Sequence, residues 1–328
     1  ILLFAFVVWV VRVPPETPLG GSAAAADAFK RQVPKRLGGQ GAPMTKTLLS
    51  LGHGYTAQAL ATRLLPQGWT ILGTYRDPAQ EADLREQGIT PLQWPIDFDT
   101  ALKDVNHVLS SIRPDKEGDP VLRLGKDALL RAAPNLDWVG YLSTTGVYGD
   151  MDGGWVDEDT PLDPDGHRGK MRVLAEAEWQ ALPDLPLHIF RLAGIYGPGR
   201  GPFAKLRKGT ARRIIKKNQV FSRAHVDDIA QVLEASMKTP NVGQIYNVCD
   251  DSPAPPQDIL AYAAELLGMD PPPEIPFEEA EMTPMARSFY SDSKRVRNTR
   301  IKEELGVVLK YPNYRDALKA MLDEETAT

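Results

Sequence analysis

Gly52-His53-Gly54-Tyr55-Thr56-Ala57 stands between a short apolar run and a longer amphipathic one, which makes it a G-x-G-x-x-A turn. The first glycine permits a tight turn, the second lets backbone approach a pyrophosphate, and the small Ala57 allows close helix–strand packing. The pyrophosphate would sit on the free N–H groups at the helix start. In a strand–turn–helix setting this spacing points to a dinucleotide held by Gly52, Gly54, Tyr55, Thr56 and Ala57. The next apolar run ends at Tyr75-Arg76-Asp77-Pro78. An acid at such a place grips a ribose 2′-hydroxyl and an arginine accommodates a 2′-phosphate. Arg76 therefore favours NADP, while the adjacent Asp77 keeps NAD open.

Other chemistries lack their residues. The five histidines, at 53, 107, 167, 188 and 225, show no metal-ligand spacing, so no metal is expected. Ser143-Thr144-Thr145 is not a G-x-S-x-G elbow, which removes the usual hydrolase nucleophile. Cys249 is the single cysteine and cannot form an internal disulfide; it reads as a buried small residue.

Four further segments carry a family resemblance: Leu142-Ser143-Thr144-Thr145-Gly146-Val147-Tyr148-Gly149, the run from Arg191 to Gly199, Ala224-His225-Val226-Asp227-Asp228-Ile229-Ala230, and Tyr246-Asn247-Val248. In that order they resemble the S-S/T-x-x-V-Y-G, R-x-x-x-I-Y-G-P-G, H-V-D-D-I-A and Y-N-V segments of the extended short-chain dehydrogenase/reductases, the NAD-dependent epimerase/dehydratase family. The resemblance covers residues 46–325. It implies an NAD(P)-dependent oxidoreductase or a nucleotide-sugar epimerase/dehydratase-like enzyme, with Thr144 polarising a substrate oxygen. It also implies a Tyr-x-x-x-Lys pair that cycles a proton while hydride moves to or from nicotinamide.

The sequence departs from the family at that pair. With Glu176 set on the family's glutamate, Arg172 takes the lysine's place and Arg168 the tyrosine's. An arginine stays protonated and cannot cycle a proton. Arg168 and Arg172 could instead clamp a phosphate or carboxylate, or lie on a solvated helix face. A literal Tyr290-x-x-x-Lys294 lies far downstream, where so short a spacing also arises by chance. The competing reading is a non-catalytic NADP(H)-binding sensor or regulatory protein.

These residues need a scaffold, and the pattern from Thr45 onward supplies one. Short apolar runs at 47–51, 70–75, 90–94, 107–111, 138–143 and 187–192 alternate with amphipathic runs at 56–65, 78–87, 120–133 and 170–182. That alternation predicts βαβ units and an α/β, doubly wound Rossmann sheet with a smaller C-terminal substrate lobe. A helix is expected at 226–237 and a strand at 244–248. The dinucleotide domain is expected at 45–193 plus 220–250, and the substrate lobe at 194–219 plus 251–328.

Composition narrows the partners. The 328 residues are 42% hydrophobic and 25% charged with a net charge of −5, which suits a globular protein and argues against a general nucleic-acid binder. Ile1 to Val11 is an apolar run too short to span a bilayer. Residues 1–43 read as a leader outside the fold, either upstream sequence before Met44 or an export signal or tether. The expected setting is cytoplasmic, with no membrane partner, a small-molecule substrate that is anionic or a nucleotide sugar, and a homodimer through the helices near 120–133 and 170–182.

Overall fold

The computed structural model describes residues 46–327, within a compact unit spanning Thr45–Thr328. The expected leader, residues 1–43, lies outside the described residues. The core is one seven-stranded sheet, in which every pairing is parallel. Its strands are β1 (Thr47–Leu51), β2 (Thr70–Tyr75), β3 (Thr90–Gln93), β4 (His107–Ser110), β5 (Trp138–Thr144), β7 (Leu187–Leu192) and β11 (Ile245–Val248). They lie in the order β11-β7-β5-β4-β1-β2-β3, with the reversal of direction between β1 and β4. That reversal is the topological switch point where doubly wound sheets bind ligands.

Because helices cover both faces, the central strands are buried end to end rather than alternating. On one face lie α1 (Tyr55–Leu64) and α7 (Val226–Lys238), packing Leu60, Leu64, Ile229 and Leu233 with Trp138 and Phe190. The other face carries α4 (Pro120–Ala132) and α5 (His167–Gln180), which join Val121, Leu129, Ala175 and Trp179 to Val108, Val139 and Tyr141. Asp119 ties these two helices together. One carboxylate oxygen caps α4 by accepting the Val121 and Leu122 N–H groups, and the other accepts Trp179 Nε1–H at 3.1 Å. The remaining sheet helices are α2 (Gln80–Glu86) and α3 (Phe98–Ala101).

The second lobe has its own core, where Phe203 and Leu206 of α6 (Phe203–Arg207) meet Ala263 of α8 (Pro256–Leu266) and Leu318 of α11 (Tyr314–Ala327). Short parallel pairs stitch the lobe together. They are β8 (Gly194–Tyr196) with β10 (Arg223–His225), β9 (Arg213–Ile215) with β12 (Glu274–Pro276), and β6 (Trp155–Val156) with β13 (Arg295–Val296). Between the last pairs sits α9 (Pro284–Phe289), and α10 (Thr299–Glu303) follows β13. Ile301, Val307 and Leu309 pack on the α1–α7 face of the sheet, so this part of the 251–328 segment belongs to the sheet's core. No helix among the described residues is long and apolar enough to cross a membrane.

Candidate functional site

The glycine turn leaves β1 at the switch point. Gly52 has φ 82°, and its N–H donates to Thr74 Oγ1 at 2.6 Å. Its carbonyl accepts the Ser111 hydroxyl. A Cβ at Gly52 would stand 3.0 Å from Ile112 Cγ1, whereas one at Gly54 would meet only Gly52 O at 3.9 Å. Gly54 therefore faces open space. It is also the N-cap of α1 with no side-chain cap, which leaves the N–H groups of that helix start for another acceptor. Thr56 and Ala57 are buried under the turn, and the Tyr55 hydroxyl donates to Pro198 O at 3.0 Å. These features match a pyrophosphate cradle.

Two cavities meet at Gly52 and Gly54. The first, about 580 Å³, runs over the end of β2 and is lined by Arg76, Gln80, Trp94 and Arg113 among others. Asp77 Oδ1 accepts Ala79 N–H at 3.0 Å, so its carboxylate is engaged in the following turn. Arg76 and Arg113 are exposed and have no ion-pair partner among the described residues. Arg113, in the loop after β4, had no sequence signal beyond following an apolar run. Behind the turn, His53 is buried with both ring nitrogens unpartnered against Gly73, and burial drives its pKa down to about 4.

The second cavity, about 710 Å³, runs past the ends of β5 and β7. Thr144 lines it and closes β5, with its Oγ1 accepting Gly146 N–H at 3.1 Å. Acceptance of that hydrogen bond leaves the hydroxyl proton free to donate. Arg172 also lines it, with Nη1 donating to Tyr141 Oη and Leu142 O, each at 2.8 Å. Arg168 is exposed, and its guanidinium lies over the Phe289 ring at 5.3 Å. The two arginines thus have separate neighbours, an aromatic face for one and a strand end for the other, and do not form a two-armed fork. Lys294 lines the cavity at 8% exposure, paired with Asp292 at 3.2 Å. Tyr290 instead packs between Phe221 and Phe277, outside that lining. The literal Tyr-x-x-x-Lys spacing separates because the chain bends and leaves regular structure after Tyr290, the C-cap of α9, so the pair does not share a helix turn.

Much of what these motifs do is architectural. Glu176 accepts Arg191 at 2.8 Å and the Ser143 hydroxyl, in a pair 4% and 2% exposed. Arg191 Nη1 donates to Tyr148 Oη at 3.0 Å, and Tyr148 Oη donates to Asn247 Oδ1 at 2.7 Å. Burial raises the Tyr148 pKa to about 12. One buried chain therefore joins β5, α5, β7 and β11. His225 Nδ1 accepts Asp227 N–H at 3.2 Å and caps α7, and burial lowers its pKa to about 4. Asp228 accepts the Lys310 and Tyr311 N–H groups, fastening the C-terminal segment.

No family model matches the chain. Protein YeeZ of Escherichia coli K12 is 30% identical over 290 residues, covering 82% of this chain and 97% of YeeZ. A 3-diazoavenalumate denitrifying reductase from Streptomyces sp is 31% identical over 182 residues, half of this chain and 58% of the reductase. A functionally unknown conserved protein from Silicibacter pomeroyi superposes with TM-score 0.83 at 62% identity, covering 85% of this chain and 99% of that one. A Methylobacillus flagellatus structure, provisionally described as an NAD-dependent epimerase/dehydratase, gives TM-score 0.65 at 26% identity over 87% of this chain and all of its own. The human epimerase family protein SDR39U1, solved with NADPH, shares the fold at TM-score 0.67 and 17% identity, covering 85% of this chain and 99% of its own. With the strand order, the uncapped glycine turn and the four linked motifs, these likenesses place the chain in the extended short-chain dehydrogenase/reductases, the NAD-dependent epimerase/dehydratase family.

Proposed function

We propose that the chain is an NADP-dependent oxidoreductase, or an epimerase/dehydratase-like enzyme, that binds its cofactor across the glycine turn and its small anionic substrate beyond Thr144. The observation that carries this reading is the continuity of the two cavities through Gly52 and Gly54, with Thr144 in one and Arg76 in the other. The uncapped start of α1 suits a pyrophosphate. Arg76 and Arg113 suit a 2′-phosphate, and a related fold is solved with NADPH.

When bound, NADP would supply or accept the hydride. Thr144 would donate a hydrogen bond to the substrate oxygen, a contact that strengthens as charge develops there. Arg172, fixed on Tyr141 and Leu142, would hold a permanent positive charge under the site and bias it toward anions. It cannot take part in proton exchange. The reductase among the relatives supports net reduction over hydride return. A homodimer through α4 and α5 is part of the proposal, supported by Leu124 and Leu174, which stand 54% and 46% exposed on those helices.

A sensor without turnover is the second reading, favoured by arginines at 168 and 172 where the family keeps its proton relay. NADPH oxidation followed at 340 nm against a panel of carboxylate- and phosphate-bearing electrophiles decides between them. The enzyme reading expects consumption with at least one compound, with a loss of turnover in Thr144→Val that exceeds any loss of binding. NADPH binding with no consumption across the panel, and no conversion of the compounds themselves, would favour the sensor.

A further inference from the structure

The cavity beyond Thr144 carries more positive charge than a nicotinamide half-site needs. Arg172, Arg200, Arg223 and Lys294 line it against the single carboxylate of Asp292. Lys294 is buried, and its ammonium has one partner, Asp292 at 3.2 Å. Arg223, on β10, is partly buried, and its Nη1 donates to Phe221 O and Ala254 O at 3.0 and 3.1 Å. Its other nitrogens have no hydrogen-bond acceptor among the described residues, and no carboxylate lies within ion-pair reach of it. Burial pulls its pKa down. The nearby Asp250 carboxylate offsets part of that burial but makes no ion pair with Arg223, so an incoming anion would supply the direct contact the guanidinium lacks. Phe221 and Phe289 line the same cavity, with the Arg223 guanidinium 5.8 Å from the Phe221 ring centre and Arg168 over Phe289.

We infer that Arg223 and Lys294 form the substrate's anion site, receiving the carboxylate or phosphate of a small organic acid whose apolar body lies against Phe221 and Phe289. The inference rests on the reading of the cleft as a dinucleotide site, and it moves the anion from the α5 arginines to the opposite wall. Arg223 reaches the site on β10, which is anchored beside β8, and Lys294 immediately precedes β13. Both positions are thus set by the small stitched pairs of the second lobe.

Calorimetric titration of the NADP⁺-saturated protein with benzoate, phenyl phosphate and neutral benzamide tests it, since saturation keeps the probes off the Arg76 end. At least one anion should bind, and more tightly than benzamide. Lys294→Gln should weaken that binding about tenfold or more, and Arg223→Met should do the same, while Lys103→Gln, exposed and outside both cavities, leaves it unchanged. Lys294→Gln keeps the arm informative if Arg223→Met fails to fold. Whichever of benzoate and phenyl phosphate binds better identifies the anion as carboxylate or phosphate. Equal affinity for benzamide, no anion binding by NADP⁺-loaded protein, or full affinity in Lys294→Gln would overturn the assignment. A failure of NADP⁺ itself to bind would instead strike the cofactor reading, and the anion arm can then be run on the protein alone.

Discussion

Gly54 shows how much a single missing side chain can decide. A Cβ there would point into open space above an uncapped helix start, so a larger side chain would fill the cradle without disturbing the fold. Gly54→Val is expected to keep its melting temperature within a few degrees and to lose NADPH and NADH binding together, as read by calorimetry. Arg76→Ala should erase most of a preference for NADPH over NADH, and Arg113→Ala should reduce it. Unchanged discrimination in both would remove the 2′-phosphate role. His53 gives a pH prediction. Its folded pKa is lowered to about 4 while the unfolded ring titrates near 6.5, so the unfolded chain binds more protons between those values. Its contribution to stability is present above pH 6.5 and is lost as pH falls toward 4, at up to about 1.4 kcal/mol per pH unit. An NMR titration should place the ring's midpoint near 4, and a midpoint near 6.5 would contradict its burial.

The elements that matter are held by contacts between motifs distant in sequence. Removing one partner of a buried ion pair leaves the other charge stranded, which costs about 3–5 kcal/mol. Glu176→Ala should lower stability by that order in a denaturant titration, because it strands Arg191 and frees the Ser143 hydroxyl. A loss below about 1 kcal/mol would show that the chain through Tyr148 and Asn247 does not depend on it. Gly149 is equally constrained: it has φ 73°, and a Cβ would collide with the Asp163 carbonyl oxygen. The sheet strands and their longer helices were legible because apolar runs and amphipathic periodicity repeat over four residues or more, as in Thr47–Leu51 and Leu187–Leu192, whereas the four-residue α3 was not. The pairs β6–β13 and β9–β12 were not. Each strand is two or three residues long and finds its partner some 60 to 140 positions away, so no local pattern marks it. The glycine turn at the switch point could be read from its spacing, whereas Arg223 and Lys294 reach the cleft through the β8–β10 and β6–β13 pairings and Arg113 through the loop after β4.

At the scale of the whole molecule, α4 and α5, tied together by Asp119 and Trp179, present exposed Leu124 and Leu174. Sedimentation at tens of micromolar should show a dimer, shifted toward monomer by Leu124→Glu with Leu174→Glu; a wild-type monomer would contradict that assembly. The switch-point cleft is what the sheet, the glycine turn and the second lobe jointly build, and cofactor binding there is the claim on which the others stand. Calorimetric titration of the wild-type protein with NADPH and, separately, NADH tests it directly. One NADPH per chain, bound at least several-fold more tightly than NADH, is the predicted result. No binding of either dinucleotide, or tighter binding of NADH, would contradict it.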